Sequence, residues 1–308
     1  MRILFATDGS QGSAVALDLL LSLPHRPEDR IDVVSVPVHR YVGAGVEGTG
    51  VFIAEVVEAE IADATRAAAG AVARLQARGV AGESRVAEGP AAEAILAAAG
   101  ALGSDLIVVG SRGHGRIAGA LLGSTARALA RHSPVPVLVV RERREAPRRI
   151  LVAADGSPDS RAAVAALASM PLVDHAEITL LYVARESMPP NMPEGQFADE
   201  LRAAIERNER MDALETLRQA AGILPSCVTV RLETERGPAA DRILEVAGAK
   251  GADLIVLGSR GTTLGTGFLQ GSTADRVLGG AHCAVLVARA PVPVGDRPEP
   301  SALAASAG

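Results

Sequence analysis

Two stretches of this chain carry the residue types needed to hold an anion, and they match each other in spacing. Gly110-Ser111-Arg112-Gly113 is followed after nine residues by Gly123-Ser124-Thr125, and Gly258-Ser259-Arg260-Gly261 after nine residues by Gly271-Ser272-Thr273. Glycines let backbone N–H groups approach an anion with no Cβ in the way. A helix starting at Gly123 would turn its unpaired N–H groups and positive dipole end toward the same space. The Ser and Thr hydroxyls add donors, and Arg112 and Arg260 either touch phosphate or remain solvated loop charges. A triphosphate fits such a cradle, as does a smaller phosphate or sulfate. The plainer alternative is a turn at Gly110 and Gly113 and a helix cap at Ser124. The loop interiors have diverged, from His114-Gly115-Arg116-Ile117-Ala118 to Thr262-Thr263-Leu264-Gly265-Thr266, while Gly110, Gly113, Gly123 and Ser124 recur at identical spacing. That pattern favours a shared ligand.

A second loop also recurs. Asp8-Gly9-Ser10 follows Ala6, and Asp155-Gly156-Ser157 follows Ala153 at nearly the same place. A carboxylate is a poor phosphate ligand because like charges repel, so Asp8 and Asp155 suit a ribose hydroxyl or a bound cation better. Other chemistries find less support. No Gly-x4-Gly-Lys-Ser/Thr string exists, as a P-loop requires. Gly113-His114-Gly115 is not a dinucleotide fingerprint, since Thr263 replaces the last glycine in the second copy and the string follows a fourth strand rather than a first. His114 faces Thr262, so it cannot be a general acid or base for both copies, and the six histidines form no ligand-spaced pair. No metal site is expected from them.

The elements that must position these loops repeat as well. Ile3 to Ser10 returns as Ile150 to Ser157 at a shift of 147, and Asp105 to Gly113 returns as Asp253 to Gly261 at a shift of 148. The shift persists over the whole length, which means duplication of a domain and not a solenoid. In the first copy the pattern predicts strands over 2–7, 31–38, 83–87, 106–109 and 135–140. It predicts helices from Ser10, which can cap, over about 52–78, from Pro90 and from Gly123. Alternating strands and helices favour parallel pairing with right-handed crossovers. The expected fold is α/β, two tandem doubly wound five-stranded parallel sheets, over residues 1–141 and 148–290, with 291–308 a disordered tail. In such sheets ligands bind at the carboxyl ends of strands, where both recurring loops fall.

The spacing Gly-x2-Gly-x9-Gly-Ser, with an Asp after strand 1, resembles the ATP-binding signature of the universal stress protein family. The resemblance covers nearly all of the chain outside the tail and implies strand order 3-2-1-4-5 in each half. It implies an adenine-nucleotide site per repeat, with ATP, and Mg²⁺ alongside it, as cofactor. Ala6, Asp8, Val36, Val109, Gly110, Arg112, Gly113, Gly123, Ser124 and Thr125 would form the first site. Ala153, Asp155, Val183, Leu257, Gly258, Arg260, Gly261, Gly271, Ser272 and Thr273 would form the second. Val36 and Val183 would present backbone to adenine, Val109 and Leu257 would flank the nucleotide, and Asp8 and Asp155 would meet ribose or metal. Family members that do not bind ATP lack this loop, which both halves keep. The family also implies pairing through strand 5, which a tandem chain could satisfy internally or between chains.

The implied role is a nucleotide-dependent regulatory protein with a protein partner and no catalytic residue. A slow ATPase or adenylyl-transferring enzyme of the same fold is the alternative. A net charge of −5 without a basic stripe argues against nucleic acid. The aromatic content of 2% argues against base-stacking platforms, and Lys250 is the single lysine. Cys227 and Cys283 have no CxxC spacing and read as reduced thiols. No apolar run reaches the roughly 18 residues of a membrane span, and the start does not read as a signal peptide, so a cytoplasmic location is expected.

Overall fold

The structure, a computed structural model, describes residues 1–37, 50–113, 122–141, 145–184, 196–261 and 272–291, with the side chains of 50–54, 174, 175 and 196–198 excepted. The expected tail beyond residue 291, Gly271 and the loop interiors that contain His114 and Thr262 lie outside the described residues.

The first half runs β1 (Arg2–Ala6), α1 (Gln11–Ser22), β2 (Arg30–Ser35), α2 (Gly50–Gln76), β3 (Ser84–Val86), α3 (Ala91–Leu102), β4 (Leu106–Gly110), α4 (Ser124–His132) and β5 (Val137–Val140). The second runs β6 (Arg149–Ala153), α5 (Pro158–Ser169), a 3-10 turn (Pro171–His175), β7 (Glu177–Ala184), α6 (Gln196–Ala221), β8 (Thr229–Arg236), α7 (Ala239–Lys250), β9 (Leu254–Gly258), α8 (Ser272–Gly280) and β10 (Ala284–Ala288). Each half is therefore an alternation of strands and helices whose strands pair in parallel.

Strand composition follows burial. β4 and β5 are buried at every position and read as unbroken apolar runs, as central parallel strands do. β8 alternates partly buried and exposed residues and carries Arg231, Glu233, Glu235 and Arg236 at the sheet edge, a composition that discourages further pairing. Several expected boundaries move. The third strand shrinks to three residues, and Gly123 and Pro90 are the capping residues before α4 and α3 rather than their first helical residues.

The strands form one ten-stranded sheet in the order β3-β2-β1-β4-β5-β10-β9-β6-β7-β8, the two five-stranded sheets being joined edge to edge. The halves join where β5 and β10 pair antiparallel, with Leu138 opposite Leu286. These two leucines are equivalent under the 148 shift, so a pseudo-twofold axis passes between them. The join covers two apolar edges that would otherwise be open to other chains. One hydrophobic cluster on each face of the sheet runs through both halves.

Candidate functional site

The ends of the strands place the recurring loops side by side. Ala6 of β1 is in register with Val34 of β2 and Val109 of β4. Ala6, Val36, Val109 and Leu122 are buried in one cluster at that end of the sheet. In the second half Ala153 is in register with Leu181, and Leu257 is buried, with Ala153 and Val183 packed on the same cluster. The apolar residues assigned to each site thus lie on one face of the sheet in both halves.

The loop after β1 is held by its own hydrogen bonds. Ser10 Oγ accepts the Ser13 N–H at 3.3 Å and caps α1, while Asp8 Oδ1 accepts the Ser10 N–H at 3.0 Å. The second half repeats both bonds: Ser157 Oγ accepts the Ser160 N–H at 3.1 Å, and Asp155 Oδ1 accepts the Ser157 N–H at 3.0 Å. These serines also tie the two loops together. Ser10 Oγ donates to the Arg112 carbonyl at 3.4 Å and Ser157 Oγ to the Arg260 carbonyl at 3.2 Å.

The glycines divide into two kinds. A Cβ on Gly110 would lie 2.5 Å from the Gly12 carbonyl group, and one on Gly258 would lie 2.6 Å from the Ser160 nitrogen. These two glycines therefore let the end of the fourth strand pack on the first turn of α1 or α5, a backbone approach within the protein. Gly113 and Gly261 are placed differently. A Cβ on Gly113 would overlap Asp8 Oδ2, and one on Gly261 would lie 2.8 Å from Asp155 Oδ2. Each carboxylate is thus pressed against the glycine that opens the long loop.

Gly123 joins the long loop to the next helix. Its N–H donates to the Ser111 carbonyl at 2.8 Å, and it precedes α4 in extended backbone (φ −70°, ψ 154°). No side chain caps α4, as none caps α3 and α7 behind Pro90 and Pro238, whereas serines cap α1 and α5. Ser124 and Thr125 form the first turn of α4, as Ser272 and Thr273 form that of α8. An uncapped helix end leaves N–H groups for another acceptor, and a phosphate is a suitable one.

The arginines of the two loops differ, which sequence spacing alone did not reveal. Arg260 Nε and Nη2 donate to Asp159 at 3.0 and 3.3 Å, and the same carboxylate accepts the Ser259 hydroxyl at 2.7 Å and the Ala290 N–H at 3.0 Å. Asp159 is 3% exposed. Burial pushes its pKa up, but the Arg260 guanidinium, the Ala290 N–H and the Ser259 hydroxyl together outweigh that and hold it below the usual carboxylate value. Arg289 Nε in turn donates to Ser259 Oγ at 3.2 Å. Arg112 is exposed, and Gly12 occupies the position of Asp159.

A separate cleft of about 240 Å³ lies at the opposite, amino end of the second half's strands, lined by Arg149, Glu177, Thr179, Arg231 and Lys250 among others. Its cations already face Asp253, Glu177 and Glu233. Among the described residues no helix is long and apolar enough to cross a membrane. Nor is any group of three or more His, Cys, Asp or Glu among them arranged to hold a metal ion.

Comparison with known proteins bears on the whole chain. A sequence model described as the universal stress protein family matches residues 1–141 and again 147–289. A universal stress protein of Methanocaldococcus jannaschii is 34% identical over 145 residues, which are 47% of this chain and 83% of that protein. One from Mycobacterium bovis is 31% identical over 194 residues, 60% of this chain and 59% of that protein, so the chain spans about three fifths of that relative. The crystal structure of a universal stress protein from Archaeoglobus fulgidus superposes with a TM-score of 0.63 at 20% identity, covering 94% of this chain and 98% of that one.

Proposed function

The chain belongs to the universal stress protein family, and from that premise we propose that each half binds one ATP at the carboxyl end of its strands. The observation that carries this reading is the uncapped start of α4 set against Ser111 and Arg112, in the loop whose Gly113 faces Asp8. The triphosphate lies on the first-turn N–H groups and on the Ser124 and Thr125 hydroxyls, with Gly113 leaving room for the Asp8 carboxylate beside it. Gly261, Gly271, Ser272 and Thr273 play these parts in the second half. Adenine packs against Ala6, Val36 and Val109 in one half and Ala153, Val183 and Leu257 in the other. Asp8 and Asp155 meet the ribose or a Mg²⁺ ion, which would neutralise phosphate charge beside the carboxylate.

The nucleotide-bound site presents a surface to a protein partner in the cytoplasm. The role is regulatory and requires no turnover. Isothermal titration of the full chain with Mg-ATP tests it. Two nucleotides per chain are expected, falling to one in Gly123→Val, whose Cβ meets nothing nearer than the Ser111 carbonyl at 3.3 Å and whose backbone is already extended. No binding, or a stoichiometry unchanged by Gly123→Val, would defeat the reading.

A further inference from the structure

We propose that the two nucleotide sites are inequivalent, the first gripping polyphosphate with Arg112 while the second has its matching arginine withdrawn by Asp159. The proposal rests on the ATP reading above and deepens it. The 147 shift that relates Asp8 to Asp155 also relates Gly12 to Asp159, and the 148 shift relates Arg112 to Arg260. The second position of the helix after the first strand therefore decides what each loop arginine does.

In the second half, Asp159 takes both guanidinium bonds of Arg260 and anchors them with the Ser259 hydroxyl and the Ala290 N–H. Two charge-assisted bonds to a buried carboxylate hold the guanidinium against the start of α5. Moving it to a phosphate would leave a buried anion short of its cation, which is strongly unfavourable. The pair is also neutral as a unit, so Arg260 adds no net charge to the second site, while Arg289 beside it is taken up by Ser259 Oγ and the Arg131 carbonyl.

In the first half no equivalent of Asp159 can exist with the loop as it stands, because a Cβ on Gly12 would overlap the Arg112 carbonyl. The loop backbone has closed onto α1, and the side chain of Arg112 is left exposed, with no ion pair to it among the described residues. The Arg112 Cα lies 3.7 Å from where a Gly123 Cβ would be, beside the uncapped start of α4. An arginine is thus adjacent to the anion cradle in the first half, and that charge favours ligands with more phosphates. The second site binds with less regard to phosphate number, so the chain responds to nucleotide over two concentration ranges.

Calorimetry of the full chain with ATP and with AMP tests this. Wild type should show two ATP affinities separated by roughly tenfold or more, the worth of a hydrogen bond to a charged group. Arg112→Ala should weaken the tighter step by about that factor and leave AMP binding nearly unchanged. Arg260→Ala combined with Asp159→Asn, which removes the guanidinium and the charge of its buried partner together, should leave the weaker step within about twofold, since that side chain contributes nothing to it. Asp159→Ala should free Arg260 and tighten the weaker step; if it unfolds the second half instead, the combined variant decides. A single affinity for both sites, or equal losses in Arg112→Ala and in the combined variant, would overturn the proposal while leaving the ATP reading intact. A complete lack of ATP binding would overturn both.

Discussion

Replacing Asp275 by Arg would set three guanidinium groups where two now face one carboxylate across the join between the halves. Arg131 Nη2 donates to Asp275 Oδ2 at 2.9 Å, and Arg127 Nη1 lies 3.6 Å from Oδ1. Positions 127 and 275 are equivalent under the 148 shift, as Leu138 and Leu286 are, so identical halves would bring like charges together here. The two copies have instead acquired opposite charges, which favours pairing of one half with the other over pairing of like halves. The side chains of Arg127, Arg131 and Asp275 are 47%, 35% and 22% exposed, so solvent screens both pairs. Each pair is then worth about 0.5–1 kcal/mol, and the repulsion introduced by Asp275→Arg is of similar size, for a total of about 2 kcal/mol. Urea unfolding followed by circular dichroism, in a chain without Trp, should show the midpoint lowered by about 0.5–1 M. The deficit should shrink in 1 M salt, where the screening length is about 3 Å. Arg127→Asp combined with Asp275→Arg should recover most of the loss, because the carboxylate moved to position 127 would then face both the new guanidinium at position 275 and Arg131. Stability equal to wild type in the single variant at low salt, or a double variant no better than the single, would rule out this charge pairing.

Two further outcomes follow from the packing at the start of α5. Gly258→Ala would force the end of β9 away from that helix, where the Ser160 nitrogen and the Asp159 carbonyl carbon lie 2.6 and 2.7 Å from the added Cβ; a loss of about 1–3 kcal/mol should appear in thermal unfolding. Asp159 ionises at lower pH in the folded chain than in the unfolded one, so its contribution is fully present at neutrality and is lost as pH falls through and below about 4. Thermal unfolding between about pH 6 and 3 should therefore fall more steeply for wild type than for Asp159→Asn. Parallel slopes would show that the carboxylate is not held by Arg260.

The architecture was legible because duplication wrote it twice. Ile3 to Ser10 and Ile150 to Ser157 end in the same Asp-Gly-Ser, and in the structure each begins a half with a strand and a serine-capped helix. The runs Leu106 to Val109 and Leu254 to Leu257 are apolar throughout, as strands buried on both faces must be, so their place in the sheet centre could be read directly. The short third strand was harder, since Ser84–Val86 is exposed or half-buried and its pattern carries little force.

The candidate site could be outlined from the sequence in its parts but not in all its relations. Gly110 and Gly258 were read as room for an anion, whereas in the fold they make room for the helix after the first strand. Spacing cannot separate these roles, because both require a missing Cβ at the same position. Arg112 and Arg260 looked alike because the strings around them match. The difference lies about 100 residues away, in Gly12 against Asp159, and only the packing of α5 against β9 brings it to the loop. A signal was present in the aligned copies, where Gln11-Gly12-Ser13 faces Pro158-Asp159-Ser160, a glycine against an acid between matched serines.

That each half holds a nucleotide is tested most directly by denaturing freshly purified protein and identifying the released small molecules by mass spectrometry, with moles counted per chain. ATP is expected at up to two per chain, reduced in Gly123→Val. Release of no nucleotide, together with no heat on adding Mg-ATP, would contradict two-site binding and would make the recurring loops structural turns.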